Sequence, residues 1–510
     1  MPIDRKHTSS AQHIAGRVFV DAVKNDPVKE PQIRFAAFLA AIFALYVGVA
    51  MFLPAMVDFY VGNADWEVFA ASGAIVSGLA LAIVIGNWGA PPRLTPRFGF
   101  LLVNLIWVTS VLVGAIPFML SSTSLTVTDA VFESVSALTT TGSTVITGLD
   151  GLPPGLLLWR SLLQWMGGLG VVALGLFVMP LLRVGGVGFF KIESSATGDI
   201  PFARFSSFSI GLIAVYIGLT AACAIAYKLA GMNGFDAVNH AMTTLATGGF
   251  STHDASFGYF ASNAAILWVG TIFMFLGGLP FSAMMLLFVQ RHHRALRDPQ
   301  IPVYAMYTAV FVAAVTVYLI ASGAAFGGSF NHAAFNIVSL ITTTGFASTD
   351  YGLWGPFALA CIFVVTFLGG CSGSTAGGIK AYRFIILFEM MNVGFRQLVY
   401  PHGISKVRYG SESLDESMQN SSVLFIAAFF VSWGVFIVLL SATGLDIVTA
   451  LTGALTALTN VGPGLGEVIG PVGNFAALPD SAKWILDVAM LLGRLEILAV
   501  LVLVSSAFWH

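Results

Sequence analysis

The sequence predicts an all-α integral membrane protein, with four pseudo-repeated helical units around a central axis and an extra N-terminal helix pair. Three observations carry that prediction. The 510 residues are 57% hydrophobic and only 9% charged, with a mean hydropathy of +0.87, whereas soluble domains carry about a quarter charged residues. Apolar runs long enough to cross a bilayer recur along the whole chain. One short pattern ending in glycine returns four times.

The elements follow in order. Residues 1–34 are polar and mixed in charge, and they read as a cytoplasmic N-terminus without a cleavable signal. Runs near 35–57 and 66–88 form the extra helix pair, within 35–97. Runs near 99–120 and 155–182 bracket repeat 1 (98–190), and those near 208–230 and 264–289 bracket repeat 2 (205–297). Runs near 303–324 and 356–391 bracket repeat 3 (301–395), and those near 421–442 and 482–507 bracket repeat 4 (420–510). Ten crossings are expected, and only 356–391 reads as interrupted. Between the runs lie apolar stretches near 127–141, 235–247, 332–344 and 446–461. These are too short to cross, so they read as re-entrant helices.

Nineteen of the 23 Lys and Arg fall on alternate connections: the N-terminus, Arg93 and Arg97, 183–204, 291–297 and 380–408. That asymmetry puts these segments, and both termini, in the cytoplasm. Arg160, Lys228 and Lys483 lie opposite, and Arg160 and Lys483 read as anchors at the outer interface. The net charge of −2 gives no reason to expect nucleic acid. Cys223, Cys361 and Cys371 sit in apolar stretches and match no disulfide framework or metal spacing.

The repeat is explicit. Residues 129–142 read DAVFESVSALTTTG and 332–345 read HAAFNIVSLITTTG, identical at eight of fourteen positions. TALTNVG at 456–462 and MTTLATG at 242–248 resemble the same ending. The aligned glycines are Gly142, Gly248, Gly345 and Gly462. They could be plain C-caps of short helices. Four copies at near-equal spacing point instead to loops lining one axis. A cation leaving water needs replacement oxygens, and rings of backbone carbonyls supply them. Glycine permits the positive φ that turns successive carbonyls to one side, and threonine adds hydroxyls and stiffness. Each loop follows a helix C-terminus, whose dipole favours cations. Candidate ion-binding residues are therefore Thr140, Thr141 and Gly142; Ala246, Thr247 and Gly248; Thr343, Thr344 and Gly345; and Asn460, Val461 and Gly462.

TTTGST at 139–144, ATGGFST at 246–252, TTTGFAS at 342–348 and TNVGPGLG at 459–466 resemble the Trk/Ktr/HKT superfamily of potassium transporters. The match is best to its bacterial TrkH-type branch, and WMGGLG at 165–170 and GGCSGSTAGGIKAYR at 369–383 are similar to further family segments. The resemblance runs from about residue 35 to the end. It implies four M1-P-M2 units around a central pore, with K+ as the transported ion and no organic cofactor in this chain. It further implies a homodimer with one pore per protomer, a cytosolic nucleotide-binding regulatory subunit (TrkA-like) and a bacterial inner-membrane location. The basic segments 183–204, 291–302 and 393–419 are available to receive that subunit. Glycine at the first loop, Gly142, implies potassium over sodium. A Na+-permeable or ion-coupled cation symporter of the same fold is the alternative.

The interruption at 369–378 carries five glycines in ten residues, each costing about 1 kcal/mol in a helix interior. Counting about 1.5 Å per residue from 356 places it a little below mid-membrane. Arg494, about 18 Å down the last run by the same count, reaches a similar depth. It reads either as an ion pair, with Glu496 for example, or as a charge facing the glycine loop. The resemblance implies the second, a gate formed by Gly370, Gly373, Gly377, Gly378 and Arg494. Lys380 reads as a cytoplasmic-end anchor. Glu133 lies nine residues before its glycine, where Asn239 and Asn336 stand in two other copies. It either draws cations to the mouth or hydrogen-bonds behind the loop. Asp129 and Asp236 read as N-caps, and His240 and His332 as packing or hydrogen-bonding groups.

Two other classes compete. Ser372 or Ser374 with His332 as base would make an intramembrane serine hydrolase, but a nucleophile needs its base within hydrogen-bond reach, and nothing in the spacing shows this. GGLP at 277–280 suggests an anion channel of broken helices, which the helix polarity opposes.

Overall fold

The structure, a computed structural model, describes residues 30–89, 96–173, 202–288, 297–403 and 405–509. Most of the expected N-terminus, and the basic segments at 183–201 and 291–296, lie outside the described residues. Among the described residues seven helices are long and apolar enough to cross a membrane, from Gln32–Val61 to Glu416–Ala442. An eighth span is a bent pair, Ala264–Gly277 and Phe281–Phe288, which turns by 101°. The expected interruption at 356–391 is present, between Pro356–Val365 and Ala381–Val399.

Two runs read from sequence as continuous are broken as well. Pro280 has no N–H to continue the ladder after Gly278, and the chain re-enters helix at Phe281, whose N–H bonds Gly373 O at 2.9 Å. The last run divides into Asp480–Arg494 and Ile497–Val504. Between them Glu496 takes φ 63°, a conformation no helix accommodates. Both breaks fall at the depth of the glycine loop. Hydropathy averaged over a window cannot register them, because the flanking residues stay apolar.

Each unit holds its short helix between its two long elements. These helices are Val127–Leu138, Gly234–Leu245, Phe326–Ile341 and Ile447–Thr459. Thr126, Asn233 and Asp446 cap the first, second and fourth by accepting helix N–H groups. Asp129 and Asp236, expected as caps, instead stand three residues after the cap, in the first turn, as partners in a reciprocal arrangement. Their carboxylates accept from Thr126 Oγ1 at 3.0 Å and Asn233 Nδ2 at 2.6 Å. One apolar core joins the N-terminal pair to the first and fourth units, and a second joins the second and third units. A short hairpin, Arg408–Tyr409 with Glu412–Ser413, interrupts the otherwise helical chain. It packs Val407, Tyr409 and Leu414 on Tyr382, Ile386 and Val393.

Candidate functional site

The four loops leave their helices in one conformation. Thr140, Thr247, Thr343 and Asn460 take φ 52°, 52°, 55° and 56°, and two residues later Gly142, Gly249, Gly345 and Gly462 take φ 90°, 77°, 85° and 101°. The intervening N–H groups of Thr141, Gly248, Thr344 and Val461 each bond the carbonyl five residues earlier, at 2.8–3.0 Å. This sets the register. The second loop's counterpart of Gly142 is Gly249, not Gly248, so the sequence alignment at 246–248 is one residue early. Ala246 matches Thr139, and the equivalent trio is Thr247, Gly248, Gly249. The Thr-Gly pair misled because two glycines stand side by side there.

The loops close a ring. A Cβ built on Gly142 would lie 2.2 Å from Gly248 O, one on Gly249 1.9 Å from Thr344 O, one on Gly345 2.0 Å from Val461 O, and one on Gly462 2.7 Å from Thr141 O. Each positive-φ glycine thus abuts the equivalent carbonyl of the next unit, in the order one, two, three, four, one. All four trios are buried except Gly142, Gly249 and Gly345, which are partly exposed. Four helix C-termini deliver these oxygen-rich loops to one place, where partial negative charge accumulates.

Side chains brace the loops from behind. In the corrected register the position nine before the glycine holds Glu133, His240, Asn336 and Gly453. Glu133 is buried and accepts from Thr144 Oγ1 at 3.0 Å and Val145 N at 3.1 Å. His240 Nε2 meets Ser251 Oγ at 3.0 Å, and Asn336 Nδ2 donates to Ser348 Oγ at 2.8 Å. The hydrogen-bonding reading of Glu133 therefore holds. Asn239 instead donates to Phe235 O on its own helix.

Arg160 is not an interface anchor. It is 1% exposed and bonds Glu133 Oε1 at 2.8 Å, Ser251 O at 2.9 Å and Thr144 Oγ1 at 3.1 Å, linking the first two loops. Lys483, also expected as an anchor, is buried against Asp129 at 2.6 Å. Gln164 escaped the sequence reading altogether, although it directly precedes WMGGLG. Its Nε2 donates to Gly248 O at 2.7 Å and its Oε1 accepts from Phe250 N at 3.0 Å.

The glycine-rich segment lies directly under the ring. Thr375 Oγ1 donates to Leu245 O at 2.9 Å, Gly377 N to Thr343 Oγ1 at 2.6 Å and Gly378 N to Thr459 O at 2.9 Å. It thereby touches the ends of three short helices. Gly373 and Gly378 take φ 74° and 68°, and a Cβ on Gly370 would lie 2.8 Å from Gly278 O. Arg494 Nη1 donates to Thr375 O at 2.9 Å, while its Nε and Nη2 are buried without a partner. The pair with Glu496 does not form. Glu496 bonds Arg383 at 2.6 Å instead. Lys380 is no cytoplasmic-end anchor either, since its Nζ turns back to donate to Ala376 O.

The hydrolase constellation is not assembled. Ser374 Oγ donates to Cys371 O at 2.6 Å, and His332 Nδ1 pairs with Ser348 Oγ at 2.9 Å beside the third loop.

On the side of the ring away from the glycine segment, His253 joins the segments that follow loops one and two. Its Nδ1 meets Asp150 Oδ1 at 2.5 Å and its Nε2 meets Asp236 Oδ2 at 3.1 Å. Burial alone would lower the His253 pKa, but the hydrogen bonds and charges of Asp236 and Asp150 outweigh it and raise the value. Asp236 is pushed the other way. Burial opposes its ionisation, yet bonds from His253 and Thr252 bring its pKa down to about 2.

This arrangement has counterparts among known proteins. The family model TrkH, described as a cation transport protein, matches residues 74–302 and 301–510. The Trk system potassium uptake protein TrkI of Halomonas elongata is 42% identical over 480 residues, covering 94% of this chain and 97% of that protein. TrkH of Escherichia coli K12 is 35% identical over 466 residues, covering 90% and 96%. The crystal structure of the potassium transporter TrkH from Vibrio parahaemolyticus superposes with a TM-score of 0.86 at 33% identity. It covers 94% of this chain and all of that one.

Proposed function

We propose that this chain, which belongs to the TrkH family of cation transport proteins, takes up potassium through a gated pore, and that the ring of four loops is its selectivity filter. The cyclic closure of the ring carries the reading. Each loop presents the same backbone turn, and its glycine rests on the next loop's carbonyl, so one oxygen from each unit borders a common space. Carbonyl rings of this kind replace a cation's hydration shell. The relatives' names as potassium uptake proteins support potassium as the ion. The filter residues are Thr140, Thr141, Gly142, Thr247, Gly248, Gly249, Thr343, Thr344, Gly345, Asn460, Val461 and Gly462.

The gate is the glycine segment with Arg494. An unpaired guanidinium facing the pathway opposes cation passage electrostatically, and its single bond to Thr375 O ties it to a segment that bends at positive-φ glycines. The protein works in a bacterial inner membrane with both termini cytoplasmic, as a homodimer that meets a cytosolic nucleotide-binding subunit. The hairpin region at 393–419, with Arg396, Lys406 and Arg408, is the surface this reading assigns to that subunit.

The test is K+ or Rb+ flux against Na+ flux in proteoliposomes, for the wild type, Gly345→Ser and Arg494→Ala. Gly345→Ser should erode K+ over Na+ preference, because its Cβ meets Val461 O at 2.0 Å. Arg494→Ala should raise flux. A wild type that passes chloride, or a Gly345→Ser protein with unchanged preference, overturns the filter. Unchanged flux in Arg494→Ala overturns the gate.

A further inference from the structure

The four filter loops are braced unequally. In the first, Thr139 Oγ1 and Thr141 Oγ1 lie 2.7 Å apart, and in the third Thr342 Oγ1 and Thr344 Oγ1 lie 2.8 Å apart. In the fourth, Asn460 Nδ2 donates to Thr141 Oγ1 and to Met490 O, both at 2.9 Å. The second loop has Ala246 and Gly248 at the two hydroxyl positions, so that brace cannot form. It also places two adjacent glycines where the other loops carry one β-branched residue and one glycine. Glycine is the least restrained residue and β-branched side chains among the stiffest. Left to itself, this loop is the softest quarter of the ring.

We infer that Gln164 is a positioning residue for the filter: its carboxamide replaces the missing brace and fixes the Gly248 carbonyl, so that ion selectivity depends on it. The amide bridges the peptide units on either side of Gly249, donating to Gly248 O and accepting from Phe250 N, while fully buried. It also explains the residue type at 248. A Cβ there would stand 2.4 Å from Gln164 Cδ, so Gln164 and a side chain at 248 exclude one another. Gly248 does not need glycine for its backbone, since its φ is not positive.

Two of the other units carry a different residue at this place. Gly167, Gly277 and Gly493 each pack on the carbonyl at the end of their own short helix, Leu138, Leu245 and Leu458. Three residues before them stand Gln164, Met274 and Met490. Methionine thus fills the equivalent place wherever the next loop carries Thr344 or Thr141, and glutamine stands where it carries Gly248.

This inference rests on the filter reading, and the experiment separates the two. The full-length protein in proteoliposomes is assayed for Rb+ and Na+ flux as Gln164→Met, Gly248→Thr, Gln164→Ala with Gly248→Thr, and Gly345→Ser. Gln164→Met keeps length and burial, and should cut the Rb+ over Na+ ratio at least about fivefold, the scale of losing one of its two buried hydrogen bonds. Gly248→Thr alone should lose at least as much, because it collides with Gln164. The double variant, which rebuilds the β-branched pattern of the other loops, should recover part of the ratio. If Gln164→Met keeps the wild-type ratio, or the double variant is no better than Gly248→Thr, while Gly345→Ser still loses selectivity, the role of Gln164 is refuted and the filter stands. If Gly345→Ser is also unchanged, both fall.

Discussion

The corrected register makes a sharp prediction at Gly249. Replacing it with alanine forces a Cβ into a position 1.9 Å from Thr344 O and 2.9 Å from Thr344 C. Ordinary carbon contacts lie at about 3.5–4.0 Å, so the second and third loops must separate by about 1.5 Å. The obstacle is backbone, not the flexible end of a side chain. Alanine also has to hold φ 77°, which costs about 1–2 kcal/mol in an L-residue. Charged against the ion-binding conformation alone, that term lowers its population by about five- to thirtyfold, before the displacement is counted. Gly248→Ala differs. Its φ is unstrained and its Cβ meets only the end of Gln164, so in a Gln164→Ala background it should be tolerated. The assay is the ratio of Rb+ to Na+ flux, with monodispersity in detergent as the folding control. Gly249→Ala should lose selectivity at least tenfold, and Gln164→Ala/Gly248→Ala should differ little from Gln164→Ala. The reverse order would restore Gly248 as the ring glycine and refute the register.

Arg160→Leu strands Glu133 in the core, and should destabilise the protein by about 3–5 kcal/mol, read as a lowered unfolding midpoint. Glu133→Asn in the same chain, imitating Asn336, should recover about 2 kcal/mol of it in a double-mutant cycle; additive losses would mean that the pair is not coupled. The His253 bridge should make stability depend on pH. With its pKa raised by Asp236 and Asp150, His253 contributes fully below its unfolded value near 6.5 and loses the contribution as pH rises through its higher folded value. The Asp236 side, lowered to about 2, contributes above about 3.8 and fades as pH falls toward 2. The melting temperature of wild type should therefore fall relative to His253→Asn between pH 6 and 8.5. Parallel curves would show that the bridge is not ionic.

What the sequence made legible was whatever repeats. Apolar runs and the returning Thr/Gly ending led to the helices, the four loops and the glycine segment beneath them, because periodicity and composition survive without coordinates. What it hid was one-off. Arg160, Lys483 and Gln164 sit in apolar helices without any pattern, and only the fold shows that their partners are Glu133, Asp129 and Gly248. Charge near a predicted helix end suggested anchoring, yet the short helices descend from the same side and supply carboxylates there. The register slip at 248 had a different cause. Matching letters aligned the first glycine of a pair, whereas the backbone aligns the residue that must turn left-handed.

The placement of Arg494 follows from the same repeat logic, and it accounts for why one charge can sit beneath a near-symmetric ring. Units one and two end their short-helix contacts with a glycine pair. Gly167 and Gly277 rest on their own helix ends, while Gly168 and Gly278 rest on the next unit's loop, against Ala246 and Thr342. A Cβ at Gly168 would stand 2.9 Å from Ala246 Cα, and one at Gly278 2.4 Å from Tyr304 Oη, so these positions admit no side chain. In unit three the pair is Gly369–Gly370, in FLGGC as Gly277–Gly278 stand in FLGGL; it lies beyond the helix that ends at Val365 and packs on Gly377 O and Gly278 O within the segment below the ring. Unit four keeps its helix through Arg494. There the pair reads Gly493–Arg494: the first residue keeps its contact, on Leu458 O, and the second carries a guanidinium that reaches across to Thr375 O in the displaced segment. Unwinding in unit three and charge in unit four thus meet at one contact, Arg494 Nη1 to Thr375 O. Replacing Arg494 with glycine would remove the charge and the segment's tie to unit four's last helix, and so should increase flux while leaving the Rb+ over Na+ ratio unchanged.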